Sequence, residues 1–146
     1  MEDRSSDRLI LVVEDNPEHS QQIANALREG AISYQIETIA DGAEALQRLR
    51  QQDPYQSAPR PILILLDLNL PGKNGQEILA AIKADPRLRR IPIVVLSSSG
   101  DEFDIFNTYT LQGNCYVVKT GDLDELFNIV RRIEQFWLGI VTLPGE

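Results

Sequence analysis

Five short apolar runs recur along the chain with helix-patterned segments between them, and this alternation restricts the fold more than any other feature. The runs are LILVVED (9–15), YQIETI (34–39), ILILLD (62–67), IPIVVLS (91–97) and CYVVK (115–119). Three of them are nearly unbroken in Val, Ile and Leu, as expected of strands covered on both faces. The segments between carry helix-start signals. Pro17 suits a first helical turn ahead of Ile23 and Leu27. Asp41, Asn74 and Asp122 each stand three residues ahead of a glutamate, at Glu44, Glu77 and Glu125. Asp85-Pro86 closes the third helix, because proline disfavours helix in the residue before it. Five β-α repeats predict an α/β chain with a doubly wound, parallel five-stranded sheet, order 2-1-3-4-5. That order places a ligand site outside the carboxyl ends of the first and third strands, where the winding reverses.

At 146 residues the chain has room for one domain with one ordinary core. The expected boundaries are a flexible stretch at 1–7, a domain over 8–137 and an extension over 138–146. The proline-rich QQDPYQSAPRP (51–61) reads as a surface connection. No apolar stretch is long enough to span a bilayer, so no membrane partner is expected. A net charge of -8 argues against a general grip on nucleic acid, which needs concentrated Lys and Arg. The single cysteine, Cys115, excludes an internal disulfide and fits a cytoplasmic location.

What ends each strand carries the chemistry. The first ends in Glu14-Asp15, the third in Asp67, the fourth in Ser97 and the fifth in Lys119. Strands one and three are neighbours, roughly 4.8 Å apart, so their terminal acids should converge. Three carboxylates at such range repel, and either one is protonated or a cation compensates. An oxygen-only set suits Mg²⁺. Three negative charges, a dication and Lys119 sum to zero. Such a site can receive a phosphoryl group, and a phosphorylated carboxylate is a known type of covalent intermediate. Taken alone, Asp67 could be a simple cap and Lys119 a surface lysine; their joint placement on one edge favours the site.

Four motifs, VVEDN, LLDLNLPGKNG, VVLSSS and YVVK, occur in this order from residue 12 to residue 119. They resemble the receiver domain of two-component response regulators, a flavodoxin-like fold, over residues 8 to about 137. The resemblance implies that Asp67 accepts phosphate from a histidine kinase. It implies that Glu14, Asp15, Asp67 and the backbone carbonyl of Asn69 hold Mg²⁺, that Ser97 and Lys119 contact the phosphoryl group, and that Tyr116 is an aromatic switch partner of Ser97. Thr120 departs from the pattern, which has proline there, often after a cis bond. A cis bond before threonine costs about 2.5–4 kcal/mol, so a trans bond and a rearranged loop are expected. The aromatic tail and the 51–61 loop resemble stand-alone regulators paired with phytochrome-type histidine kinases. This implies a signalling protein in a phosphorelay, without an attached output domain, passing its signal to a downstream protein.

Two other readings share the topology. An aspartyl-phosphate phosphatase places a second acid two residues after its nucleophile, and here Asn69 stands there, unable to shuttle a proton. A flavin-binding electron carrier needs a phosphate-cradling loop after the first strand, where EDNPE would repel one. Neither a P-loop nor GxGxxG is present.

Three segments remain. DEFDIFNTYTLQG (101–113) is a weak helix former that carries Phe103, Phe106 and Tyr109. Either it buries these aromatics as an ordinary amphipathic helix, or it is a marginal element that shifts on activation. In FWLGIVTLPGE, Trp137, Leu138, Ile140, Val141 and Leu143 either fold back on the domain or form a homodimer contact. His19 is expected on the exposed face of the first helix, and Cys115 in core packing.

Overall fold

The computed structural model describes residues 8–30, 34–70, 74–119 and 121–144. The expectations for residues 1–7 and for the Lys119–Thr120 peptide bond lie outside them. Ten elements alternate: β1 (Leu9–Val13), α1 (Pro17–Arg28), β2 (Gln35–Ile39), α2 (Gly42–Leu49), β3 (Leu63–Leu66), α3 (Gly75–Ala84), β4 (Ile93–Ser97), α4 (Glu102–Thr110), β5 (Cys115–Val118) and α5 (Leu123–Trp137). All strand pairs are parallel and the order is β2-β1-β3-β4-β5, as the β-α alternation predicts. The three central strands are buried along their whole length, which explains why their sequences do not alternate.

Strand pleating splits the core in two. Leu11, Val13, Ile64, Leu66, Ile93 and Val95 face Ala45, Leu46 and Leu49 of α2 and Ile78, Leu79 and Ile82 of α3. Ile10, Val12, Leu63, Leu65, Val94 and Leu96 face Ile23 and Leu27 of α1 and Leu126, Val130 and Ile133 of α5. Cys115 packs half-buried against this second cluster.

Helix starts follow the predicted side chains. Asn16, Asp41, Asn74 and Asp122 each accept backbone N–H bonds at an N-terminus. The reciprocal glutamate bond is made at Asn74–Glu77, where Glu77 Oε1 accepts the Asn74 N–H at 3.3 Å. Asp85 ends α3 in extended conformation, as the following proline requires.

Helix α4 overturns one expectation. Its aromatics are not buried: Phe103, Phe106 and Tyr109 are 69%, 72% and 51% exposed. The inward face is polar instead. Gln76 of α3 donates to Asp104 at 3.1 Å and accepts from Asn107 at 2.7 Å, and Thr108 is the residue of α4 that is fully buried. With Asp104 and Asn107 turned to Gln76 of α3, the aromatics lie on the outward side of the helix. The tail does fold back in part. Leu138 is buried, Trp137 and Leu143 pack against the second cluster, and Ile140 remains 75% exposed.

Candidate functional site

The strand order brings the first and third strand ends side by side. Asp67 N–H donates to the Val13 carbonyl at 3.0 Å, and this bond ties the residue after β3 to the last residue of β1. Glu14 follows directly, and its own N–H donates to Ile39 of β2 at 3.1 Å. One oxygen each from Glu14, Asp15 and Asp67 lies within 4.8 Å of the others. Glu14 and Asp67 are buried; Asp15 is exposed and leaves the group open to water.

Lys119 reaches this group from the end of β5. Its backbone N–H donates to the Ser97 carbonyl at 2.8 Å, which fixes where the side chain sets out. The ammonium is buried and donates to Glu14 Oε1 at 2.6 Å and Asp67 Oδ2 at 3.2 Å. The second oxygens are also engaged: Glu14 Oε2 accepts the Asn16 N–H at 3.2 Å, and Asp67 Oδ1 accepts the Asn69 N–H at 3.0 Å. Three carboxylates against one ammonium leave a surplus of two negative charges. Burial pushes the Glu14 carboxyl up to about 7, and neighbouring Asp67 adds to this while Lys119 opposes it. A divalent cation would cancel the surplus. The donors are all oxygen, and with Asp15 open to solvent a hydrated, hard cation such as Mg²⁺ fits them.

Ser97 and Tyr116 form a second, linked group. Ser97 is fully buried and its Oγ accepts the Ser99 N–H at 3.2 Å. Tyr116 donates its hydroxyl to the Ser99 carbonyl at 2.7 Å, and Ser99 Oγ donates to Asp104 of α4 at 2.7 Å. Ser99 therefore joins the loop after β4 to Tyr116 within β5 and to the first turn of α4. Reading the strand ends missed it, although its place two residues after Ser97 was a usable signal. Among the described residues Ser97 bonds to Ser99 rather than to Asp67. Asn69 lies on the exposed loop after Asp67, its amide 3.5 Å from Ser98 Oγ.

His19 corrects an expectation. It is half-buried rather than free on the helix surface, with Nδ1 2.9 Å from the Lys119 ammonium. The Asn16 cap binds both Glu18 N–H and His19 N–H, at 3.0 and 3.2 Å, and so fixes the first turn of α1 over the site. Spacing along the helix gave only a face; the loop geometry before it decides where that face points.

Gly75 shapes the site from below. Its N–H donates to Leu68 at 2.9 Å, and a Cβ there would run into the Asp67 carbonyl and Leu68 Cα. Neither is a flexible side-chain end, so the backbone carrying Asp67 would have to move. Gly75→Ala should therefore cost about 1–3 kcal/mol in a denaturant melt, and an unchanged midpoint would contradict this packing.

The response regulator receiver domain family model matches residues 10–131 of the chain. Response regulator Rcp1 of Synechocystis sp. is 46% identical over 138 residues, 94% of each chain. The solved structure of the phosphorylated cyanobacterial phytochrome response regulator RcpA is 51% identical, with a TM-score of 0.92 over 94% of this chain and 99% of that one. The Mn²⁺-bound form of Rcp1 superimposes with a TM-score of 0.91 at 46% identity, over 94% and 99% of the two chains.

Proposed function

The chain belongs to the response regulator receiver domain family, and on that premise we propose that Asp67 accepts a phosphoryl group from a histidine kinase. The observation that carries this is the burial of Asp67 among two further carboxylates and one ammonium, at the carboxyl edge of a doubly wound sheet. An Asp67 oxygen attacks phosphorus while the P–N bond of the donor phosphohistidine breaks and its electron pair returns to the imidazole. Lys119 offers positive charge to the oxygens of the group in flight, and Ser97 offers a hydroxyl. Glu14, Asp15, Asp67 and the Asn69 carbonyl would hold Mg²⁺, which when bound neutralises charge developing on those oxygens. The chain works as a phospho-acceptor that switches, with no turnover of a separate substrate.

Similarity to Rcp1 and RcpA supports a phytochrome-type kinase as the donor, and a cytoplasmic location where such a donor is met. The output lies on the other hydrogen-bonded group. Drawing Ser97 toward a phosphoryl group breaks its bond to Ser99, and through Ser99 loosens Tyr116 and Asp104 of α4. With a polar inner face, α4 has little burial holding it, and its exposed aromatics offer a changed surface to a downstream protein. The deciding experiment follows label from an autophosphorylated phytochrome-type kinase to this chain, with and without a chelator. Transfer that needs Mg²⁺ supports the reading; no transfer from any histidine kinase or small phosphodonor overturns it.

A homodimer contact fits the far end of α5. Phe136 stacks edge-to-face on Trp137, with centroids 5.7 Å apart, and stays 49% exposed next to Ile140. Ile140→Asp should lower the sedimentation coefficient at matched concentration, since a charge at a contact core is costly. An unchanged coefficient would remove the tail from the interface.

A further inference from the structure

We infer that His19 is a positioning residue for Lys119, supplying the neutral hydrogen-bond acceptor that keeps the ammonium over Asp67. The inference rests on Asp67 being the phosphoryl acceptor. A lysine ammonium has three protons to donate and no lone pair. Lys119 meets three acceptors: Glu14 Oε1 at 2.6 Å, His19 Nδ1 at 2.9 Å and Asp67 Oδ2 at 3.2 Å. Because the ammonium cannot accept, His19 Nδ1 must carry a lone pair, so its ring proton sits on Nε2. The three partners differ in kind. The two carboxylates belong to the set that would hold a cation and receive the phosphoryl group, and both change their electrostatic state when they do. His19 does neither, so it is the constant partner.

Its loss should be felt at Asp67. Without it, the ammonium is left to its stronger remaining partner, Glu14, and spends less time on Asp67. The groups facing His19 are Lys119 from the end of β5, Asp67 from β3, Asp15 from the loop before α1 and Glu18 from its own helix. From α5 the adjoining contact is neutral, Gln22 Nε2 to the Leu123 carbonyl at 2.9 Å. Burial, then the Lys119 charge, push the imidazole below its ordinary 6.5, which keeps the acceptor lone pair available through neutral pH. Protonation of Nδ1 would replace an acceptor with a second cation beside Lys119.

The test compares initial rates of labelling by acetyl phosphate with Mg²⁺ in wild type, His19→Ala and His19→Gln, each first checked for native circular dichroism. At about pH 8 His19→Ala should be slower by about fivefold, the worth of one hydrogen bond, while His19→Gln, whose amide oxygen can accept, stays within about twofold. Over the pH range in which ring NMR shows the wild-type imidazole protonating, the wild type should lose more rate than His19→Gln, because glutamine does not titrate. The carboxylates of the site are the same in all three proteins, so the ratio of wild type to His19→Gln isolates the imidazole. Equal rates for His19→Ala and wild type, or a ratio unchanged across the pH at which the ring protonates, would overturn the inference. Nitrogen NMR of the ring gives a second readout. A protonated Nδ1 at neutral pH would overturn it even if every variant misfolded. Failure of the underlying reading looks different: wild type itself would take no label, or Asp67→Asn would take as much.

Discussion

Asp67→Asn will reduce labelling by acetyl phosphate to background, a loss of roughly 100-fold or more, because an amide oxygen is not a nucleophile of comparable strength. The substitution keeps the shape of the side chain but sets an amide NH2 where Oδ2 accepts from Lys119. The amide's carbonyl oxygen can still accept the Asn69 N–H now bound to Oδ1 at 3.0 Å. Lys119 loses one of two anionic partners but keeps Glu14 at 2.6 Å, so the ammonium remains paired in the buried site. Removing one of three crowded carboxylates also relieves repulsion, so the variant should melt no lower than wild type in the absence of metal. A folded, stable and unlabelled variant assigns the acceptor. Equal label on both proteins, stable in acid and labile in base as an acyl phosphate is, would move the acceptor to another carboxylate.

The strand ends were legible because burial writes directly into sequence. An unbroken run as short as LILVV or LILL, with turn signals around it, reads as a strand with both faces covered, and an acid straight after it falls on the sheet's carboxyl edge. Parallel order then sets Glu14 beside Asp67 without any side-chain detail. Helix starts were legible for a similar reason, since the cap is made within a few residues, as at Asn74 and Glu77. What escaped depends on contacts between distant elements. The aromatics of α4 suggested a buried face, but Gln76 of α3 engages Asp104 and Asn107 and turns the helix the other way. His19 looked like a surface residue from α1 alone; Lys119, one hundred positions away, makes it part of the site. The tail gave only its apolar content. Which side chains returned to the core, Leu138 and Leu143, and which stayed out, Ile140, depends on the end of α5 meeting the second cluster.

The burial that raises Glu14 also sets a proton in competition with any divalent cation at the site. Glu14 ionises at about 7 in the folded chain against an ordinary 4.5, chiefly because it is buried. Between these values the folded protein holds a proton that the unfolded chain has released. Acidification through 7 therefore favours the metal-free fold as far as Glu14 is concerned, and the cost of its charge is fully present above that pH. A divalent cation needs the carboxylate and must expel the proton. Calorimetric titration with Mg²⁺ should show affinity nearly flat above about pH 8 and weakening toward tenfold per unit below about pH 6. Near pH 7 about half a proton should be released per ion bound, visible as an enthalpy that varies with buffer. Stability follows the same sign. Mg²⁺ at about 100 times its Kd adds about 2.7 kcal/mol, and at fixed concentration the increment should shrink as pH falls from about 8 to about 6. Glu14→Gln should bind Mg²⁺ weakly and lose this slope, because the amide oxygen still faces Lys119 but releases no proton. If wild-type affinity were the same at both ends of that range, Glu14 would not be a ligand, and the cation would have to rest on Asp15, Asp67 and the Asn69 carbonyl.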